Sequence, residues 1–435
     1  MAESRRLRIL LASDHYPPFI GGAHRWAELT AHGLAARGHE VCVITGWHGG
    51  LPRRERTGDV EVNRIRQLRT VIPPLVTDGR EVAMPPFPDP VSLHDARGVI
   101  ARFAPDAAIA HGWMAASVAP ILARRSTPVL LSTHDYGYFC ATRTLRHGGS
   151  TCSGPAPAKC LSCAGEFYGS RAKGAACVAG VAASREVLLR SVSGIQTVSS
   201  FVDEVTWEYV GSRARSPIRR FIISAFVDED PSAVDTDEAE VARVLNLLPD
   251  EPFIMFAGAL REIKGVAVLL RAYGLLENPP PLVLMGTVHE DTPRELPPGA
   301  IIIENAPHVA VMEGWRRALV GVVPSVWPDP CPTVSIECAS QGTPVIGTLP
   351  GGMSDTVGDA GILVQMGDAQ ALADALAAVI SDPLLRARLG EAGRQRAAGF
   401  TGPLKFAEYE QALFDLLADA AESGSSQGRA DVANR

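Results

Sequence analysis

No stretch of this chain approaches the roughly 20 consecutive apolar residues that a helix needs to span a bilayer, so a transmembrane segment is not expected. A signal-peptide core is missing too. Arg5, Arg6 and Arg8 precede an apolar run, Ile9 to Ala12, that Asp14, His15 and Pro17 interrupt too soon. The reading is a cytoplasmic protein that meets a membrane at most peripherally. Excess positive charge is also lacking. The net charge is -7 and the basic residues are scattered, not striped, which leaves no field of the kind that neutralises a phosphate backbone. Nucleic acid is therefore not expected as a partner. There is no solenoid period and no Walker loop.

What is present is enough apolar material for two cores. The chain has 435 residues, 46% of them hydrophobic and 20% charged, which excludes global disorder and suggests two globular domains. Short β-rich runs alternate with helical patterns in the first half, the signature of a parallel sheet covered on both faces. Leu7 to Ser13, Val41 to Thr45, Ala107 to Ala110, Pro128 to Ser132 and Ile195 to Val198 read as strands. A helix from Ala23 to Arg37 turns Ala23, Trp26, Ala27, Thr30 and Leu34 to one face and stops at Gly38. The alternation weakens between Gly211 and Asp250, then resumes with Phe253 to Phe256, Leu282 to Met285, Ala300 to Ile303, Val320 to Val323 and Pro344 to Ile346. The expected organisation is α/β: a Rossmann-like domain over residues 1–210, a linker over 211–250 and a second doubly wound domain over 251–395. A helix over 396–420 is placed to cross back to the first domain, and 421–435 reads as a mobile tail.

Open α/β sheets bind ligands at strand carboxyl ends, so chemistry is sought there. Gly21 and Gly22 close the loop after the first strand and begin a helix, where backbone amides can approach an anion; an ordinary tight turn remains the alternative. Gly258-Ala259-Leu260-Arg261-Glu262-Ile263-Lys264-Gly265 follows a strand and supplies cations beside a helix start. In the segment Pro324 to Glu337, Asp329 and Glu337 lie on either side of Cys331-Pro332-Thr333-Val334, with Thr333 placed to cap a helix. A carboxylate there can accept two hydroxyl hydrogen bonds, which suits a ribose or a hexose. His111 and His134-Asp135 fall at the ends of two first-domain strands, where a lone histidine is either structural or catalytic.

These motifs, in this order over nearly the whole chain, resemble glycosyltransferase family 4, retaining enzymes of the GT-B fold in which two Rossmann-like domains face across a cleft. The resemblance rests on the Gly-Gly loop, the segment ending in Lys264-Gly265, and the carboxylate pair followed by Gly342-Thr343-Pro344-Val345-Ile346. It implies a nucleotide diphosphate sugar donor, with UDP and GDP both suitable, and no cofactor for catalysis. It implies further that Gly21 and Gly22 approach the donor, Lys264 neutralises the diphosphate, Glu337 binds the ribose, Asp329 faces the transferred sugar, and His134 acts at the reacting centre with His111 and Asp135 nearby. Two departures stand out. Ala259 occupies the family's phosphate-binding Arg position, with Arg261 as the substitute, and Asp329 replaces a Glu. The donor motif leaves open an oxygen, nitrogen or sulfur acceptor, and a sugar-nucleotide binder without catalysis.

Cys140, Cys152, Cys160 and Cys163 crowd into a Gly-, Ser- and Pro-rich segment just after His134-Asp135. Their Cys-x2-Cys pair has the spacing of a metal knuckle, so a structural zinc is expected, with an iron-sulfur cluster or free thiols as alternatives. Asp228-Glu229-Asp230 and Asp235-Thr236-Asp237 match an Asp-x-Asp metal pattern, but their place in the linker reads as a solvated acidic stretch.

Overall fold

The computed structural model describes residues 5–14, 16–18, 22–72, 84–211, 217–227 and 237–433, with backbone only at 23, 24 and 423–433. Strands β1 (Arg8–Ala12), β2 (Glu40–Gly46), β3 (Arg54–Thr57), β4 (Val60–Ile65), β5 (Ala107–His111) and β6 (Val129–Thr133) belong to the first half. After them come the short β7 (Arg146–His147) and β8 (Ser150–Thr151), then β9 (Gly194–Thr197) and β10 (Arg219–Ile222). The second half holds β11 (Ile254–Ala257), β12 (Leu282–Met285), β13 (Ala300–Ile303), β14 (Val320–Val323), β15 (Val345–Leu349) and β16 (Ile362–Gln365).

Two sheets result. The first runs β10-β9-β6-β5-β1-β2-β4-β3 and the second β13-β12-β11-β14-β15-β16. Within these two sheets every pairing is parallel except β3 against β4, and β7 pairs separately and antiparallel with β8. Parallel strands buried on both faces need continuous apolar runs, as β1, β5 and β11 have. In each sheet the chain order reverses once, between β1 and β5 and between β11 and β14. Crevices at such reversals receive ligands.

Within the segment expected as linker, β10 extends the first sheet beside β9, and the helix Glu238–Leu245 buries Val244 in the second core. The acidic residues 228–230, 235 and 236 lie outside the described residues, as does Gly21. Asp237 caps that helix by accepting from the Ala239 amide at 2.9 Å.

The last helix, Gly402–Ala433, returns to the first domain. Its Tyr409, Ala412, Leu413 and Leu416 pack on Trp26, Ala27, Ala31 and Leu34 of the first helix, Gly22–Ala36. Each large side chain buried this way contributes roughly 2 kcal/mol relative to exposure. Glu410 fastens the contact by accepting from Arg37 Nε at 3.1 Å and pairing with His39 Nε2 at 2.9 Å. The helix also runs through Ser423–Gly428, correcting the reading of a mobile tail. Once a helix exists, each added residue gains a hydrogen bond without a new nucleation cost.

Candidate active site

On the first-domain wall, the loops after β1, β5 and β6 converge. Asp14 is buried, and its carboxylate accepts from the amides of Trp113 (3.0 Å) and Met114 (2.7 Å) at the start of the helix Met114–Ala123. Burial raises its pKa, while Arg143 and the two amides work the other way. Arg143 lies between two carboxylates: Asp135 Oδ2 is 2.6 Å from Nη2 and Asp14 Oδ2 is 3.8 Å from Nη1. Its guanidinium also stacks over Trp113, 5.1 Å from the ring centroid. Burial disfavours that charge, but the two carboxylates outweigh it and keep Arg143 protonated.

His134 lies on the floor of this wall, partly exposed. Its ring packs on Trp26 at a centroid separation of 4.3 Å and meets His111 edge-on at 4.8 Å. Nε2 is 3.0 Å from Ser132 Oγ. Burial pushes the pKa down to about 4 against a weaker opposing pull from Asp135, so the ring is neutral near pH 7. His111 is placed deeper, almost fully buried, with Nδ1 3.3 Å from Ser13 Oγ. It supports the floor.

On the opposite wall, Lys264 ends the 3-10 turn Glu262–Lys264 after β11. Gly265 then takes φ +78°, and a Cβ there would fall 1.8 Å from the Pro324 carbonyl oxygen. Only glycine lets the two loops meet this closely. Lys264 Nζ donates to Asp329 Oδ2 at 2.8 Å and lies 5.5 Å from the Trp327 ring centroid. Asp329, nearly buried, also accepts from Ser325 Oγ at 3.2 Å.

The helix Thr333–Ser340 carries Glu337, whose Oε1 is 3.1 Å from His308 Nε2. Its cap is Pro332, with no side-chain hydrogen bond. Thr333 therefore stands inside the first turn and does not cap the helix, a correction of the sequence reading. The walls touch directly: Tyr136 Oη donates to the Pro328 carbonyl at 2.6 Å, Arg146 pairs with Glu262 at 3.2 Å, and Ser200 Oγ donates to Asp355 at 2.9 Å. Cys331 packs against the first-domain core, and burial pushes its thiol pKa up to about 12.

Arg261 is not gathered with Lys264. Its guanidinium is exposed and pairs with Asp291 at 3.4 Å. The sequence reading also missed Asp14, Arg143, Trp26 and His308 as site residues. Position after β1 is a usable signal for Asp14; nothing local marks Arg143, which arrives from a loop eight residues past Asp135.

The zinc expectation is corrected. Among the described residues no group of three or more His, Cys, Asp or Glu side chains is arranged to hold a metal, and Cys140, Cys152, Cys160 and Cys163 are free thiols. Their sulfurs turn to separate neighbours: Thr142 Oγ1, the Gly154 carbonyl, the Ala156 amide and the Arg146 carbonyl. Burial and then the nearby thiols raise the Cys163 pKa. The loop is ordered by protein contacts instead. β7 and β8 form a hairpin whose Gly148 and Gly149 both have positive φ. The Tyr168 hydroxyl donates to the Ala141 carbonyl at 2.8 Å.

Among the described residues no helix is long and apolar enough to cross a membrane. Residues 21–204 match the family described as "Glycosyl transferase 4-like domain", and residues 237–396 match "Glycosyl transferases group 1". The chain is 27% identical over 242 residues to a D-inositol 3-phosphate glycosyltransferase of Kribbella flavida, covering 50% of this chain and 57% of that one. It is 25% identical to a glycogen synthase of Mycobacterium tuberculosis, over 90% of each chain. For the inositol-phosphate relatives of Kribbella and Arthrobacter, the match spans only 57% and 38% of their lengths. Among solved structures, sucrose-phosphate synthase from Thermosynechococcus elongatus superposes with a TM-score of 0.70 at 20% identity, over 94% of this chain and 99% of that one. Anabaena HepE in complex with UDP-glucose superposes at 0.61 and 15% identity, over 96% and 99%. Both halves of the chain are matched in order and its two facing sheets recur in these structures, so the chain belongs to the group 1, family 4 glycosyltransferases and has the GT-B fold.

Proposed function

We propose that this chain transfers a sugar, with retention of anomeric configuration, from a UDP- or GDP-sugar to a hydroxyl of a small molecule, a saccharide or a lipid-linked acceptor. One observation carries the reading. Lys264, the amino end of the helix Thr333–Ser340 and Glu337 stand on one wall of the cleft, and a neutral His134 stands on the other.

The diphosphate draws Lys264 away from Asp329 and takes the amides of Thr333 and Val334 in the first turn of the helix, so negative charge growing on the leaving phosphate is stabilised as the glycosidic bond breaks. Glu337 accepts the ribose hydroxyls in place of His308. Asp329, released from Lys264, accepts from a hydroxyl of the transferred sugar. The departing phosphate oxygen takes the acceptor's proton, so no protein nucleophile is required. His134, neutral and lone-pair bearing, accepts a hydroxyl hydrogen bond at the sugar, and Asp135 and Arg143 fix the loop beside it.

A second reading, a sugar-nucleotide binder without catalysis, draws on Ala259 and on the pairing of Arg261 with Asp291. Among the described residues of the donor wall, that arrangement leaves Lys264 to meet a diphosphate.

The test is a thermal-shift screen against UDP, GDP, ADP, dTDP and CDP, followed by donor turnover with the matching nucleotide sugars. A ligand at 100 times its dissociation constant adds about 2.7 kcal/mol to the folded state. A selective shift lost in Glu337→Ala, together with release of free nucleotide, is the expected result. A shift without turnover across acceptors would favour the binder, and well-folded protein that no nucleotide shifts would sink both readings.

A further inference from the structure

Beneath His134 runs a chain of hydrogen bonds whose two ends are chemically fixed. At one end the Gln196 Nε2 amide donates to the Ile223 carbonyl at 2.6 Å. A carbonyl only accepts, so this contact sets the amide orientation and leaves Oε1 as an acceptor. Ser132 Oγ donates its single proton to that oxygen. At the other end the indole N–H of Trp26, which only donates, gives its proton to Tyr409 Oη at 3.1 Å. Tyr409 also lies beside Ser132, whose single proton is already given to Gln196.

Ser132 thus has no proton left to offer His134. For the 3.0 Å contact between Ser132 Oγ and His134 Nε2 to be a hydrogen bond, the ring must carry its proton on Nε2. We infer that Gln196, acting through Ser132, locks His134 as the Nε2–H tautomer and presents Nδ1 to the cleft as a hydrogen-bond acceptor. Nδ1 makes no hydrogen bond to the described residues. Its lone pair is held ready for a hydroxyl, and it offers no N–H to a phosphate oxygen. That His134 contacts substrate rests on the function proposed above; the tautomer does not.

Tyr409 makes this more than a local detail. It comes from the last helix, beyond the second domain in sequence, and is fully buried between Trp26 and Ser132. The crossover helix therefore supports Trp26, on which the His134 ring packs. Gln196 and Ser132, adjacent in register on β9 and β6, supply the rest.

The experiment uses the full chain labelled with 15N at histidine, with ring nitrogens read by long-range 1H–15N correlation and His134 assigned from its Gln variant. The wild type is expected to show a protonated Nε2 and a bare Nδ1 from pH 8 to below the ordinary histidine range. Gln196→Leu frees the Ser132 proton to turn toward the ring, and a shift toward the Nδ1–H tautomer is expected. Ser132→Ala removes the anchor, so both tautomers appear; Ser132→Thr, which keeps the hydroxyl, restores one. Tyr409→Phe removes the acceptor of the Trp26 indole and is expected to leave the Nε2–H tautomer in place. If Gln196→Leu does not fold, the Ala and Thr variants at Ser132 carry the test alone.

An Nδ1–H tautomer in the wild type, or an Nε2–H tautomer untouched by Ser132→Ala, overturns the inference. Turnover separates it from the functional reading. Ser132→Ala is expected to lower kcat roughly tenfold, the kinetic equivalent of one neutral hydrogen bond, with Ser132→Thr recovering it. A tautomer that changes as stated while kcat stays constant would support the lock and remove His134 from catalysis.

Discussion

The two walls of the cleft solve the problem of polar groups near a ligand in opposite ways. On the first-domain wall the polar groups are mostly satisfied by one another: Asp14 by two amides and Arg143, Asp135 by Arg143 and the Gly137 amide, and Ser132 by its three neighbours. On the donor wall Lys264 donates to Asp329 and His308 meets Glu337, with the Lys264 and His308 side chains each about one-third exposed. A fully satisfied network resists change and keeps its geometry. A pair at a wet surface is weakly held and exchanges for a better partner. The contrast teaches that the first-domain wall is a fixed template; under the function proposed above, the donor wall is charged in advance and would release Lys264 to the diphosphate.

The sharpest way to break this comparison is at Lys264. If it is the exchangeable cation, Lys264→Ala should lower kcat/KM with the cognate donor on the order of a hundredfold to a thousandfold, the size found for removing one transition-state charge partner. Its effect on unfolding should be about 2 kcal/mol, because Lys264 is about one-third exposed while the Asp329 it leaves without a cation is nearly buried. A Lys264→Ala protein that loses stability but keeps its kcat/KM would place the residue among structural ions and erase the contrast.

The fixed wall has its own pH signature. His134 has a folded pKa of about 4, below its unfolded value near 6.5. The unfolded chain therefore binds the proton more readily, so stability tied to this group is complete above pH 6.5 and is lost as pH falls toward 4. The full span of that loss is about 3 kcal/mol. Denaturant melts at pH 7.5, 6, 5 and 4.5 should show a fall that His134→Gln abolishes. Equal acid sensitivity in the variant would mean that burial does not discriminate against the imidazolium.

Arg143→Ala tests the same wall with a smaller expected effect. The two carboxylates around it lose their common cation, and Asp14 is buried. Removing one partner of a deeply buried pair costs 3 to 5 kcal/mol; because Arg143 is about one-third exposed on its side chain, about 2 kcal/mol is expected. Arg143→Ala combined with Asp135→Asn should recover part of that loss in a double-mutant cycle.

The legibility of the molecule in its sequence divides along the same line. Strand runs such as Leu282–Met285 and Val320–Val323 were readable because parallel strands buried on both faces demand unbroken apolar residues. The positions of Lys264 and Glu337 were readable because short-range motifs place them in the turn after a strand and in the helix after a loop. Arg143 and Tyr409 were not. Each reaches the site through a tertiary contact, Tyr409 from 275 positions beyond His134 in the numbering, and no local spacing encodes such a partner. The cysteine loop misled for a related reason: a segment without periodicity suggested a metal as its organiser, whereas a Gly-Gly hairpin and the Tyr168 contact order it.

Glu337→Gln is the mildest perturbation and the finest test of the donor wall. Gln keeps the length and can still accept from His308, but it carries no charge and places an NH2 where one carboxylate oxygen stood. The ion pair it removes has a partly exposed histidine and contributes little to the fold, so the unfolding midpoint should barely move. A ribose bound through two hydroxyls needs two acceptor oxygens, and loss of one charge-assisted bond should weaken nucleotide binding about tenfold by calorimetry. Binding weakened alike for ribonucleotides and 2′-deoxyribonucleotides would show that Glu337 does not read the 2′-hydroxyl. Deoxyribonucleotides bound equally by both proteins, with ribonucleotides weakened only in the variant, would place Glu337 at that hydroxyl and mark the His308 pair as the one that gives way to the donor.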